Sequence, residues 1–165
     1  MCTIIGAQTW EVWLFEDKFI KFGTVLISMP TYIVGTDGVP ASEAISDYLK
    51  DRVDQDDSVE VVYATVSDES EAQEALDVFE EQLGSVTNVN TQHINYRDEG
   101  PGSGPVETIL HQAKETEADQ MVIGLRRHTR TERIIFGSVS HSLIEKVTIP
   151  LLLVPLPGYQ PNESS

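Results

Sequence analysis

Short apolar runs alternate with longer segments of helical periodicity from residue 31 onward. Five of the runs have the length of strands, and their carboxyl ends recur about every 30 residues, as a βαβ step requires. These runs are 32–37, 59–66, 89–95, 120–125 and 151–154. The alternation predicts βα units around a parallel sheet.

Four helices are predicted between these strands, because each intervening segment carries apolar residues at i, i+3, i+4 and i+7. The four stripes are Ala44, Ile45, Tyr48, Leu49 and Val53; Ala72, Ala75, Leu76, Phe79 and Leu83; Val106, Ile109, Leu110 and Ala113; and Val139, Leu143, Ile144 and Val147. We interpret all four as core. The predicted fold is α/β, with one doubly wound, Rossmann-like, five-stranded parallel sheet in the order βαβαβαβαβ along the chain.

Residues with known positional preferences support these boundaries. Ser42 is placed to cap the first helix, and Gly84 follows the second. Pro105 opens the third helix, and Pro150 ends the connection to the last strand.

The chain is strongly acidic, with 27 Asp and Glu against 11 Lys and Arg, a formal charge of −16 and a pI near 4.4. This balance disfavours binding to nucleic acid or to anionic membranes. Only five lysines occur, so the composition is typical of a halophilic protein, although an ordinary acidic protein can share it. At 165 residues the length fits one domain.

Cysteine use and hydropathy indicate a cytoplasmic protein. Cys2 has no second cysteine with which to pair, and no spaced Cys/His set for zinc is present. No run of 18 apolar residues occurs, and the N-terminus lacks the features of a secretory signal.

Residues 1–28 differ from the rest in composition, because they hold both tryptophans and a net charge of −1, whereas the other 137 residues carry −15. One interpretation is that translation starts at Met29. The other is a genuine extension whose aromatic residues pack on the domain or on a partner. We therefore divide the chain into an extension of doubtful status at 1–28, a domain at 29–157 and a tail at 158–165.

Four of the six arginines fall within eight residues after the fourth predicted strand, at Arg126, Arg127, Arg130 and Arg133. In a doubly wound sheet, ligands bind at the carboxyl ends of the strands, and guanidinium groups suit phosphate oxygens. The cluster indicates an anionic ligand. A solvated loop, or pairing with the carboxylates of a partner subunit, is the alternative.

Two further features accompany this loop. Gly137, Ser138 and Ser140 precede the fourth helical stripe, where free backbone amides and hydroxyls can bind an anion; Ser138 can equally be a plain N-cap. Asp37 ends the first strand, where its carboxylate can accept hydrogen bonds from an adenine amino group or a ribose hydroxyl. It can equally be a turn residue of Thr36-Asp37-Gly38.

With these motifs in place, residues 31–155 resemble the universal stress protein family. The resemblance rests on Ile33-Val-Gly-Thr-Asp37-Gly, Val61-Val-Tyr-Ala-Thr-Val66, Ala118-Asp-Gln-Met-Val-Ile-Gly124, and Phe136-Gly-Ser-Val-Ser140 with Ile149-Pro-Leu-Leu-Leu-Val-Pro155. Nucleotide-binding members carry G-x2-G-x9-G-[ST]. Gly124, Gly137 and Ser138 match this motif, but Arg127 replaces its second glycine.

The resemblance implies a bound adenine nucleotide, ATP or AMP, which Mg²⁺ can accompany. It implies that Asp37 and the Val66 backbone face adenine and that Ile123 lines the site. Gly124, Arg126 and Arg127 would lie on the ribose and phosphate side, and Gly137, Ser138, Val139 and Ser140 would contact the phosphates. It also implies a homodimer formed through the last strand, Leu151 to Val154.

The residues favour binding over catalysis. Neither G-x4-G-K-[ST] nor G-x-S-x-G is present. The histidines, His93, His111, His128 and His141, have no metal-ligand spacing, and we interpret each as a surface or hydrogen-bonded residue. His141 lies one helical turn beyond Ser138, but no orienting acid is identifiable. The leading hypothesis is a homodimeric nucleotide-binding sensor or regulatory module of the stress response. The alternatives are a nucleotide-free interaction module and a slow ATP hydrolase.

Overall fold

The computed structural model describes residues 19–22, 25–66, 69–98, 100, 102–125 and 138–156. Two short strands, β1 (Phe19–Phe22) and β2 (Val25–Ser28), form an antiparallel pair. The domain that follows consists of β3 (Thr31–Thr36), α1 (Val39–Leu49), β4 (Ser58–Thr65), α2 (Glu69–Leu83), β5 (Asn88–Asn95), α3 (Pro105–Glu115), β6 (Gln120–Leu125), α4 (Ser138–Lys146) and β7 (Leu151–Pro155).

The five strands β3 to β7 form one parallel sheet in the spatial order β5-β4-β3-β6-β7. This confirms the predicted fold class. The strand boundaries lie within one residue of the predicted ones. Four of the strands are apolar runs that polar or turn-forming residues bound. β5 is mostly polar, with Val89 and Ile94 as its apolar residues.

Each face of the sheet is covered by two helices. α1 and α2 pack on one face, around Val34, Val61, Phe79 and Val122. α3 and α4 pack on the other, around Ile33, Val62, Ile109 and Leu143. Gly35 lets α3 approach closely, because a Cβ there would lie 2.9 Å from Cδ1 of Ile109.

The four predicted apolar stripes differ in how completely they are buried. All five residues of the α2 stripe are buried, and the α1 and α3 stripes are buried or half-buried. On α4 only Leu143 is fully buried, whereas Val139 and Ile144 are 36% and 42% exposed. The interpretation of this fourth stripe as core was therefore wrong for these two residues, because α4 covers the sheet with a narrow face formed by Ser140 and Leu143.

The start of α1 also differs from the prediction. Its N-cap is Gly38, with no side-chain cap, and Ser42 lies inside the helix with no exposed surface. The helix begins earlier because Pro40 supplies a helical φ in the first turn. In contrast, Pro105 does open α3, and Gly84 does follow α2.

The two edges of the sheet have different chemistry. On the β5 edge, two asparagine side chains donate to side chains of β4. Asn88 donates to Ser58 Oγ at 3.1 Å, and Asn90 donates to Glu60 Oε1 at 2.8 Å. The β7 edge reads Leu-Leu-Leu-Val-Pro, with its three leucines only half-buried. β7 is therefore the apolar edge of the sheet.

Candidate functional site

The order of the strands creates a crevice between the carboxyl ends of β3 and β6. The chain leaves β3 toward α1 and β4 on one side, and it leaves β6 toward α4 and β7 on the other. Ligands of doubly wound folds bind at such a point of reversal. The register places Gly35 beside Ile123, so Asp37 and Leu125 follow at the same level on the two strands.

Asp37 lies at the mouth of this crevice. It is exposed and is the first residue after β3, which ends at Thr36, whereas the predicted strand included Asp37 as its last residue. The next residue, Gly38, has φ 151° and ψ 169°, a conformation open only to glycine. Its carbonyl oxygen accepts from the amides of Ala41 and Ser42 at 3.1 and 3.0 Å, which ties the turn to α1.

The buried hydroxyl groups of Thr36, Ser42 and Ser46 connect the end of β3 to α1. Thr36 Oγ1 and Ser42 Oγ are 2.8 Å apart, and both residues are buried. The Ser46 hydroxyl donates to the Ser42 carbonyl at 2.6 Å and lies 3.0 Å from Gln82 Oε1 on α2. We did not predict this arrangement. Its signal in the sequence is a pair of serines four residues apart on the face of α1 that is otherwise apolar.

Val66 is the first residue after β4, the strand that neighbours β3 in the sheet. β4 ends at Thr65, and Thr36 is in register with Tyr63, so Val66 lies three residues beyond the level at which β3 ends. Val66 is half-buried. β4 therefore extends beyond the carboxyl end of β3, next to the crevice.

Gly124 and Ile123 serve the packing of β6 in this structure. A Cβ on Gly124 would lie 3.0 Å from Cδ2 of Leu156 and 3.4 Å from Cβ of Ala41, so a side chain there would fit tightly against Leu156. The Leu156 amide donates to the Leu125 carbonyl at 3.2 Å, which keeps Leu156 over this position. Ile123 is only 4% exposed and belongs to the core under α3 and α4.

The first turn of α4 begins at Ser138, on the β6 side of the crevice. Ser138 and Val139 are exposed, and Ser140 is 8% exposed. The first turn contains no acidic residue, and the amide groups of a first helical turn have no partner within the helix. The arrangement favours an anion at this helix end.

Three predicted site residues, Arg126, Arg127 and Gly137, lie outside the described residues, as do Arg130 and Arg133. The structure describes the other seven. Asp37, Val66, Ile123 and Gly124 lie at the carboxyl edge of the three central strands, and Ser138, Val139 and Ser140 form the first turn of the helix that follows β6.

The histidines give no support to a catalytic centre. Nε2 of His141 lies 3.5 Å from Oε1 of Glu145, and both side chains are largely exposed. His111 is exposed as predicted. His93 departs from the prediction of a surface or hydrogen-bonded residue at one atom, because its Nε2 is buried without a partner among the described residues. Its ring stands edge-on to Tyr63 with the centroids 6.3 Å apart. His128 lies outside the described residues.

Two broader properties of the described residues bear on function. They contain no group of three or more His, Cys, Asp or Glu side chains arranged to hold a metal ion. None of the described helices has the length and hydropathy needed to cross a bilayer.

Comparison with known proteins agrees with this architecture. The chain is similar to the stress response protein NhaX of Bacillus subtilis, with 44% identity over 50 residues, which is 30% of each chain. Its fold is similar to that of the hypothetical protein MJ0577, with a TM-score of 0.61 and 19% identity over 78% of this chain and 97% of the other.

Two universal stress proteins solved with ligands also share the fold. One is in complex with cAMP, with a TM-score of 0.54, and one from Archaeoglobus fulgidus is in complex with dAMP, with a TM-score of 0.52. Each is 18% identical and covers 78% of this chain and 98% of its own. The family model for universal stress proteins matches residues 30–155. The chain therefore belongs to the universal stress protein family.

Proposed function

We propose that this protein binds an adenine nucleotide, ATP or AMP, in the crevice between β3 and β6 and acts as a sensor or regulatory module of the stress response. The observation that carries the proposal is the placement of Asp37 at the mouth of the crevice and of the first turn of α4 on its β6 side. The complexes of two family members with cAMP and dAMP support an adenine ligand.

The two sides of the crevice have complementary chemistry for such a ligand. The exposed Asp37 carboxylate can accept hydrogen bonds from an adenine amino group or a ribose hydroxyl. The amides and hydroxyls that begin α4 at Ser138 can donate to phosphate oxygens. We assign the adenine side to Asp37, Val66 and Ile123, and the ribose and phosphate side to Gly124, Arg126, Arg127, Gly137, Ser138, Val139 and Ser140.

Positive charge is concentrated in the segment after β6 that contains Arg126, Arg127, Arg130 and Arg133, which we call the arginine loop. In a protein of net charge −16, a polyphosphate is repelled over most of the surface. Arg126 and Arg127 follow β6 directly and are the nearest cations along the chain to this end of the sheet. Mg²⁺ would accompany ATP as the ion that neutralises its phosphates.

Titration of ATP and AMP into the purified protein tests this function, in 0.1 M and 2 M KCl with Mg²⁺ present. We expect saturable binding of one nucleotide per subunit. Asp37→Asn and Gly137→Val should each raise the dissociation constant tenfold or more, which corresponds to about 1.4 kcal/mol. The matched controls, Asp98→Asn and Gly104→Val, should not change it. The absence of binding at both salt concentrations would contradict the proposal.

A second candidate function is a nucleotide-free interaction module, and the specific observation in its favour is Arg127. This residue occupies the position of a motif glycine, where a side chain can obstruct the phosphates. In that case, wild-type protein would not bind ATP and Arg127→Gly would restore binding. The arginine loop would then pair with an acidic partner protein.

We propose at most slow ATP hydrolysis. The exposed His141 side chain lies 3.5 Å from Glu145, a weak and solvent-screened pair that does not orient a base toward Ser138. A Ser138→Ala, Asp37→Ala variant that loses a measurable turnover would establish the hydrolase alternative instead.

We also propose that the protein is a homodimer that pairs through β7. The Met121 amide donates to the Pro150 carbonyl and the Leu156 amide to the Leu125 carbonyl, so the even-numbered residues of β7 face β6. The backbone groups of Leu151 and Leu153 therefore point away from the sheet. An apolar edge with free backbone groups is a surface that a second copy can cover.

A further inference from the structure

A groove lies between α3 and α4 at the opposite end of the sheet from the crevice. It has a volume of about 440 Å³, within the range of small-molecule sites. Six apolar residues line it: Leu110, Ala113, Ala118, Met121, Val147 and Ile149.

The groove lies beyond the end of α4. α4 has nine residues and ends at Lys146, and the residues that follow it, Val147, Thr148 and Ile149, line the groove. Met121 is fully buried at the floor, whereas Leu110, Val147 and Ile149 are half-buried and leave apolar surface open to the groove.

Two lysines stand at the rim, Lys114 in the last turn of α3 and Lys146 in the last turn of α4. They are two of the only three lysines in residues 29–165. Lys146 Nζ lies 2.7 Å from Glu107 Oε1, a pair whose side chains are about half exposed. Glu117 also lies on the rim and partly offsets the positive charge.

We propose that this groove, the α3–α4 groove, binds a small organic carboxylate with an apolar body, and that Lys114 and Lys146 hold its carboxylate. The apolar lining receives the body, because burying it removes hydrocarbon from water. The ligand carboxylate competes with Glu107 for the Lys146 ammonium. This site is separate from the nucleotide crevice and does not depend on it.

The test uses 4-phenylbutyrate as the probe and its neutral amide, 4-phenylbutyramide, as the matched ligand. Binding is followed in 0.1 M KCl, where the ion pairs are not screened, and again in 2 M KCl, by calorimetry and by the NMR signal of the Met121 methyl group. We expect saturable binding of the acid with a shift of the Met121 signal, and weaker binding of the amide.

Charge variants test whether the two lysines bind the ligand or only stabilise the carboxyl ends of the helices that carry them. Lys114→Gln and Lys146→Gln should each raise the dissociation constant of phenylbutyrate about threefold, as expected for a partly exposed ion pair. Glu107→Gln should lower it, because Lys146 is released. The control Lys50→Gln removes the same charge from an exposed position on the opposite side of the sheet and should have no effect.

Ala113→Phe should abolish binding by filling the groove, with circular dichroism to verify the fold. If this variant does not fold, the lysine and Glu107 variants decide the question alone. The proposal is overturned if the amide binds as tightly as the acid, or if Lys50→Gln and Lys114→Gln have equal effects. It is also overturned if the Met121 signal does not move, or if folded Ala113→Phe binds unchanged.

Discussion

Asp57 is the residue whose environment most clearly opposes its charge. It is 6% exposed, and burial is the main cause that raises the pKa of its carboxyl above the ordinary value, followed by the charges of Asp54 and Asp56. A hydrogen bond that Oδ2 accepts from the Asp54 amide at 2.9 Å acts in the opposite direction. The folded state therefore binds a proton at Asp57 more readily than the unfolded state does.

The sign of the stability effect follows from this difference. As pH rises from the unfolded value of 3.8 through the raised pKa, the unfolded chain releases its proton first, so Asp57 lowers the free energy of unfolding. Asp57→Asn keeps the acceptor oxygen without the charge. We expect the variant to be more stable than wild type at pH 7, and the difference to shrink as pH falls below the unfolded value of 3.8.

Denaturant titrations at several pH values in constant 2 M KCl measure this difference. The exposed neighbour provides the control, because Asp56→Asn should show a much smaller change with pH. An Asp57→Asn variant that is less stable than wild type at pH 7 would show that the buried charge has a compensating partner.

At the scale of elements, the turn between β3 and α1 is the part of the site most constrained by backbone geometry. Gly38 has a positive φ of 151°, whereas Gly104, the corresponding N-cap of α3, has an extended φ of −153°. Both glycines precede a proline in the first helical turn, so they form a matched pair.

Gly38→Ala should lower the free energy of unfolding by about 1–3 kcal/mol more than Gly104→Ala, because only Gly38 needs a conformation that alanine avoids. Urea denaturation of the two variants measures the difference. Nucleotide affinity should fall with Gly38→Ala alone, since this turn carries Asp37. Equal losses of stability would show that the turn adapts to a side chain.

Elements differ in how far the sequence predicts them. The three central strands and α2 could be predicted almost to the residue, because most of their apolar residues are buried as the periodicity indicates. The start of α1 could not, since Ser42 has the residue type of a cap but hydrogen-bonds to Thr36 across the helix–strand contact. The exposure of Ile144 depends on how α4 lies on the sheet, which periodicity does not encode.

The candidate site could be predicted in position but not in detail. The βα pattern indicates a site at the carboxyl ends of the strands, where Asp37 follows β3, whereas the strand order that puts β3 beside β6 is known only from the structure. The covering of Gly124 by Leu156 and the hydroxyl chain behind Thr36 depend on contacts between residues far apart in sequence. No local pattern specifies such contacts.

At the scale of the whole molecule, the net charge of −16 governs the response to salt. Repulsion among carboxylates destabilises the compact state, and the screening length falls from about 10 Å at 0.1 M salt to about 3 Å at 1 M. We expect the thermal midpoint to rise by about 5 °C or more between 0.1 M and 2 M KCl. Asp54→Asn, Asp56→Asn protein should show a smaller rise, and a midpoint independent of KCl would refute the halophilic interpretation.

The proposed dimer makes a separate prediction at this scale. Leu153→Pro removes an amide that faces away from β6, so it should yield monomers while the domain stays folded. Leu153→Val keeps that amide and should remain dimeric. Light scattering coupled to size exclusion distinguishes the two states, and a dimeric Leu153→Pro variant would place the interface elsewhere.

The central claim is that an adenine nucleotide binds in the crevice between β3 and β6, and NMR mapping of backbone amides during an ATP titration tests it most directly. The account predicts that the largest shifts fall on Thr36 to Gly38, on Val66 and on Ser138 to Ser140, with small shifts around Met121 at the other end of the sheet. Saturation with ATP that leaves the amides of the crevice unchanged, or shifts concentrated at the α3–α4 groove, would contradict it.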